Sequence, residues 1–284
     1  MLDFFQKLFG ELTSNKDIEK NKPDPKELLA NLQPQIEAFA APCIRIKTHT
    51  SSILKLENSK FGGLPYFPVD QDFPTSADGK PMRLLAQLNF AEIPHLSPNP
   101  KEGLLQFYIV EDDNLHGLDF GNPTKQKNWR VLFFEDLDFE TRTDLKSFYT
   151  DEWKYSPLLK APLSLQFEIV KDYPFFPVLE YERYATPVFE QLTNQGEQEK
   201  AEAYYLYSKQ NDIGGHKIGG FPFFTQGEIR AFKEGYQSYQ LLFQIVSEGD
   251  KIIWGDMGTA NFFIRHEDLV KRDFSKVLYN WDCH

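Results

Sequence analysis

The stretch FGGLPYF at residues 61–67 returns as IGGFPFF at residues 218–224, and this recurrence sets the expected architecture. In each copy two glycines free to take positive φ precede an apolar residue and a proline whose ring fixes φ, which is the chemistry of a tight loop. LLAQL at 84–88 recurs as LLFQI at 241–245. Subtracting 62 from 219 and 87 from 244 gives 157 both times, so the two blocks keep register without a gap. GLLQFYI from Gly103 and GTANFFI from Gly258 follow at an offset of 155. Two copies are too few for a solenoid, so the expectation is two packed half-units about a pseudo-twofold axis.

Around these blocks, short segments rich in Phe, Leu, Val and Ile read as strands at 43–49, 83–90, 104–110, 129–135, 163–170, 240–246, 251–254 and 259–264. Turns such as SEGD at 247–250 are too short for a helical crossover, which makes antiparallel pairing the natural connection. Lys26 to Ala41 sets Leu28, Leu29, Leu32, Ile36 and Phe39 on one helical face, with Pro34 expected to bend it. A second helical region is expected from about Thr186 to Gln210, broken at Asn194 to Gly196. The fold class is therefore α+β, internally duplicated, with two mainly antiparallel β-rich halves and flanking helices. NKPDP at 21–25 reads as a linker. The chain divides into an N-terminal helix and linker over 1–25, a first half-unit over 26–180 and a second over 181–284, packed as one globular body.

With 41% hydrophobic and 15% aromatic residues, the 284-residue chain can bury enough apolar surface to offset its conformational entropy. A net charge of -11 repels phosphate backbones, which argues against nucleic acid as a direct ligand. Only Cys43 and Cys283 are present, far apart, so free thiols in a cytoplasmic, reducing compartment are expected. The opening MLDFFQKLFGEL sets Leu2, Phe5, Phe9 and Leu12 on one stripe. It lacks the basic polar face of an interfacial helix and the apolar core of a signal peptide, and no stretch approaches transmembrane length, so no stable membrane insertion is expected.

The chain resembles the YwqG-like family, a group of bacterial proteins of unknown function. The likeness lies in SKFGGLPYFP, RLLAQLNFAEIP, EGLLQFYIVED, HKIGGFPFF, LLFQI, WGDMG, FFIRHEDL and DFSKVLYNWDC, and covers about residues 43–283. The resemblance implies no established reaction and no cofactor. It does imply an association with bacterial contact-dependent toxin neighbourhoods and, through it, an immunity role.

The candidate ligand-binding residues are His216, Gly219, Gly220, Trp254 and Asp256. Backbone amides of a double-glycine loop can form an anion nest, and His216 with Asp256 would make a general acid/base pair if the fold joined them. Gly62, Gly63, Pro65, Gln87, Pro222 and Gln244 are expected to be structural, with Gln87 and Gln244 buried and bonded to loop backbone. No P-loop or GxGxxG is present. The acidic loop EDDNLHGLDFGNP resembles a calcium loop from Asp112 but places Pro123 where a bidentate Glu is required. The six histidines show no zinc spacing, so neither metal nor cofactor is expected. The leading expectation is a non-catalytic protein-interaction protein, an immunity or antagonist protein with a protein partner. The alternative is an enzyme or small-molecule binding protein with a cleft between the halves, lined by His216, Trp254 and Asp256.

Overall fold

The computed structural model describes residues 25–50, 54–110, 114–145, 158–175, 178–190, 203, 207 and 214–284. The expected opening helix and the break at 194–196 lie outside these residues, as does Asp112. Ten strands form one sheet: β1 (Ala41–Thr50), β2 (Lys60–Phe61), β3 (Arg83–Asn89), β4 (Leu104–Ile109), β5 (Trp129–Phe134), β6 (Leu163–Asp172), β7 (His216–Gly219), β8 (Tyr239–Val246), β9 (Thr259–Arg265) and β10 (Leu278–Asp282). Their order is β10-β9-β8-β7-β1-β6-β2-β3-β4-β5, and the paired strands of this order run antiparallel.

The sheet is continuous because its two longest strands meet in the middle. β1 pairs with β6 from Ala41↔Asp172 to Thr50↔Leu163, while β1 also pairs with β7 and β6 with β2. These two strands form the seam of one sheet, where a two-lobed arrangement would have left two exposed sheet edges. The described helices are few, so the fold is β-rich, and the α+β expectation overstated their share. The segment 251–254 is not a strand; Ile252 only bridges Glu248 and Leu159. β10, with its mixed LYNWD sequence, was not anticipated.

The sheet curls into a half-barrel around an aromatic core. Phe107 on β4 lies 4.7 Å from Phe243 on β8 and 4.8 Å from Phe262 on β9, so strands far apart in the sheet touch across its concave face. The edge strands approach through Trp129 and Tyr279, whose rings are 5.4 Å apart. They do not pair, because the segment between them acts as a wedge. Tyr279 N–H donates to Pro123 O, Val131 N–H donates to the Gln126 side chain, and Gln126 in turn donates to Phe274 O.

The helix Pro25–Ala38 buries Leu28, Leu29, Leu32 and Ile36 against Tyr173, Val178 and Tyr181. Pro34 does not split it. The ring sits on the exposed face, as does Ala30, whose carbonyl it deprives of a helical donor.

Candidate functional site

Both double-glycine loops are tight turns in the left-handed region, with φ of +68° and +75° at Gly62 and Gly63 and +70° and +73° at Gly219 and Gly220. Buried amides suspend them from the sheet. Gln87 accepts from Tyr66 N–H at 2.9 Å and from the Gln106 amide at 2.8 Å, and donates to Leu56 O and Asn58 O. Gln106 donates to Tyr66 O, so both polar groups of the Tyr66 peptide are held. In the second loop Gln244 accepts from Phe223 N–H and donates to Gly215 O, while Asn261 donates to Phe223 O. Gln87 and Gln244 are both fully buried and Pro65 is buried, whereas the Leu64 and Gly63 positions before it are half-buried. Pro222 is buried in the matching place.

The anion held by the second loop is the protein's own. Asp172 Oδ2 accepts from Phe221 N–H and from Lys217 Nζ, each at 2.8 Å. A Cβ on Gly220 would stand 2.3 Å from that oxygen and 2.7 Å from the Cys43 Cβ, whereas one on Gly219 would meet nothing within 4 Å. The two glycines share a backbone conformation and differ in this contact. Gly219→Ala should therefore cost about 1 to 2 kcal/mol of left-handed strain. Gly220→Ala should cost about 1 to 2 kcal/mol more through overpacking. Urea unfolding of the two variants checks this, and equal losses would contradict it.

The lysine beside the first double-glycine loop, Lys60, is buried with no carboxylate in contact among the described residues and donates to Leu56 O at 2.6 Å. Burial lowers its pKa to about 8, against the weaker opposing pull of Glu57 and Glu92. Between pH 8 and 10 the unfolded chain keeps this proton while the folded chain has lost it, so stability rises with pH. The expected gain across that window is about 2 kcal/mol. It should appear as a higher urea midpoint at pH 10 in the wild type and be missing from Lys60→Met; identical pH profiles would overturn the assignment.

His216 is committed on both sides of its ring. Nδ1 accepts from Val246 N–H at 3.1 Å, which leaves Nε2 to donate to Glu248 at 3.1 Å. Glu248 also accepts from Thr48 and Lys251 at 2.6 Å each. The hydrogen bond from His216, followed by those from Lys251 and Thr48, holds its carboxyl far below the usual range despite partial burial. A histidine with both nitrogens engaged has no free lone pair for a substrate proton. The structure does not join His216 to Asp256: the carboxylate at His216 is Glu248, and the exposed Asp256 side chain has no partner among the described residues.

Trp254 and Asp256 belong to a different place, the open end of the wedge between the sheet edges. Trp254 is fully buried, and its ring packs 5.5 Å from His116 and 5.8 Å from Trp281. Asp256 contributes its carbonyl, which accepts from His284 N–H. On the outer side of Trp281 runs a groove of about 520 Å³ between the 114–120 and 226–232 loops. Its rim is apolar and open to solvent: Leu115 is 43% exposed, Phe120 69% and Phe232 78%. The rim loops are held firmly. Trp281 donates its indole N–H to Leu115 O, and Tyr279 donates its hydroxyl to His116 O. Glu228 caps the turn Ile229–Ala231, and the buried Arg230 bonds Glu228, Glu180 and Tyr239 O.

Neither Trp254 nor Asp256 lines this groove, and Leu115, Phe120, Phe232 and Trp281, which do, were not among the residues singled out from the sequence. The available signal was an aromatic residue set in a polar, turn-rich segment, as in LDFGNP and RAFKEG. Among the described residues no group of His, Cys, Asp and Glu is arranged to hold a metal ion, and no helix is long and apolar enough to cross a membrane. Cys43 is a buried free thiol and Cys283 a partly exposed one.

A protein-family model described as "Domain of unknown function (DUF1963)" matches residues 59–283. Among curated proteins nothing matches the chain.

Proposed function

The chain belongs to the DUF1963 family, and from that premise and the aromatic groove we propose that it is a non-catalytic protein-interaction protein. The observation that carries the reading is the groove rim. Phe120 and Phe232 stand in solvent on braced loops, and large apolar side chains kept exposed on a rigid frame are the usual anchors of an interface. Two further features support it over a catalytic cleft: the space between the two ends of the sheet is filled by Phe107, Phe243 and Phe262, and His216 has no unengaged nitrogen. The finer likeness to YwqG-like proteins favours an immunity or antagonist role in the cytoplasm.

The same reading treats the chain as an internal duplication. Lys60 faces Gln87 as Lys217 faces Gln244, and the ladder slips between Leu84 and Ala86 as it does between Leu241 and Phe243. Ile44 lies beside Ile218, and Leu163 beside Phe61. The separation 163 − 44 is 119, and adding it to 47 gives 166, the residue that Lys47 faces. That pairing is where a pseudo-twofold axis would cross the sheet.

The test replaces Phe232, and separately Phe120, with a photoreactive benzophenone amino acid in the native cell. A single discrete adduct from both positions, with none from Val69, also exposed but away from the groove, is the expected result. Adducts absent from the rim, or as abundant from Val69, would overturn the interaction role.

A further inference from the structure

We infer that the groove binds an extended basic peptide, which adds a strand to the free edge of β10 and sets apolar side chains between Phe120 and Phe232. This rests on the interaction role proposed above and specifies its partner. β10 ends the sheet, so one side of it has no neighbouring strand. Tyr279 N–H points to that side, since it donates to Pro123 O in the wedge. An antiparallel ladder alternates, so Trp281 sends its N–H and C=O to the same side, and Cys283 follows. The Cys283 carbonyl is taken by the Gln226 side chain at 2.6 Å. Between these two capped positions the Trp281 peptide has no partner among the described residues, and it borders the groove.

A peptide running along the edge would exchange two hydrogen bonds with Trp281, the arrangement of a hydrogen-bonded antiparallel pair. Successive side chains of an extended chain point to opposite faces, so alternate residues would meet the aromatic rim. The charge of the partner follows from the lining. Asp282, whose carboxylate accepts from Thr225 N–H and Gln226 N–H, is the one charged residue there, no lysine or arginine lines the groove to offset it, and the whole chain carries a net charge of -11. A cationic peptide is attracted to such a site and an anionic one repelled.

The experiment uses fluorescence anisotropy with a labelled peptide of about seven residues, a typical strand length. Its sequence alternates lysine with phenylalanine or valine. Three relatives accompany it: one with glutamate for lysine, and two methylated on alternate backbone nitrogens, in the odd or the even set. The parent should bind the full-length protein. The glutamate version and one methylated version should each bind at least ~10-fold more weakly, because one loses charge complementarity and the other a ladder hydrogen bond. The other methylated version should bind as the parent does. Phe120→Ala with Phe232→Ala, both at exposed positions, should weaken the parent by ~10-fold or more.

Equal binding of both methylated peptides would overturn strand pairing, and equal binding of the glutamate peptide would overturn the basic partner. Rim adducts formed in cells, together with no binding of any of these peptides, would also overturn the inference while leaving the interaction role standing. Absence of both adducts and peptide binding would remove the two together.

Discussion

Arg230→Met is expected to destabilise the protein by about 3 to 5 kcal/mol, the cost of breaking a buried ion cluster from one side. The guanidinium is 1% exposed and donates to both oxygens of Glu180, both oxygens of Glu228 and the Tyr239 carbonyl. Burial alone would lower its pKa, but the hydrogen bonds to Glu228 and Glu180 outweigh this and raise it, so the charge is present at any working pH. The cation also lies 5.0 Å from the centre of the Phe263 ring, which methionine would still fill but no longer complement electrostatically. Removing it leaves Glu228, itself buried, as an unbalanced charge beneath the loop that carries Phe232. Adding Glu180→Gln and Glu228→Gln to Arg230→Met should restore at least about 1 kcal/mol, since neutral amides are less costly to bury than carboxylates. Denaturant unfolding of the single and triple variants decides the matter. A loss below about 1 kcal/mol in the single variant would show that the carboxylates reach water, and the loop would then owe its shape to something else.

Gln87→Leu should cost about 3 to 4 kcal/mol and Gln244→Leu about 2 to 3 kcal/mol. The ranking follows from what each change orphans. Leucine at 87 leaves Tyr66 N–H, Asn58 O and one Gln106 hydrogen without their partner, while Leu56 O keeps the Lys60 ammonium; leucine at 244 strands Phe223 N–H and Gly215 O. Both sites are fully buried, so water cannot substitute without opening the fold. Thermal or urea unfolding measures both, and the order is the sensitive part: a larger loss at 244 than at 87 would mean that the bonds do not set the energetics. The surroundings of the two glutamines also differ one step further on. Gln106, beside Gln87, receives the Tyr108 hydroxyl, but Asn261, beside Gln244, has a buried Oδ1 with no partner among the described residues, and the residue two positions on is Phe263.

Much of this framework was legible in the chain. The glycine pairs demanded positive φ, the proline rings limited what could follow them, and a polar amide placed twice inside an apolar strand had to find partners in the interior. These are local requirements of covalent geometry and desolvation, and they hold wherever the segment ends up. The groove was much less legible. Phe120 and Phe232 read as ordinary loop residues because nothing in their neighbourhood of sequence says what lies opposite them.

By itself, then, the sequence determined the recurring loops, the strands that carry apolar runs, the buried glutamines and the acidic surface, since each rests on contacts within a few residues or on composition. Tertiary structure decided that β1 and β6 pair along their full length to make one sheet, that Glu248 and not Asp256 meets His216, and that Asp172 fills the nest of the second loop. It also decided that Trp281 borders an aromatic groove at the end of the sheet. Each of these depends on residues 32 to 166 positions apart, as from His216 to Glu248 and from Leu115 to Trp281. Pairings of that kind are selected by the curl and register of the whole sheet, which no local pattern encodes.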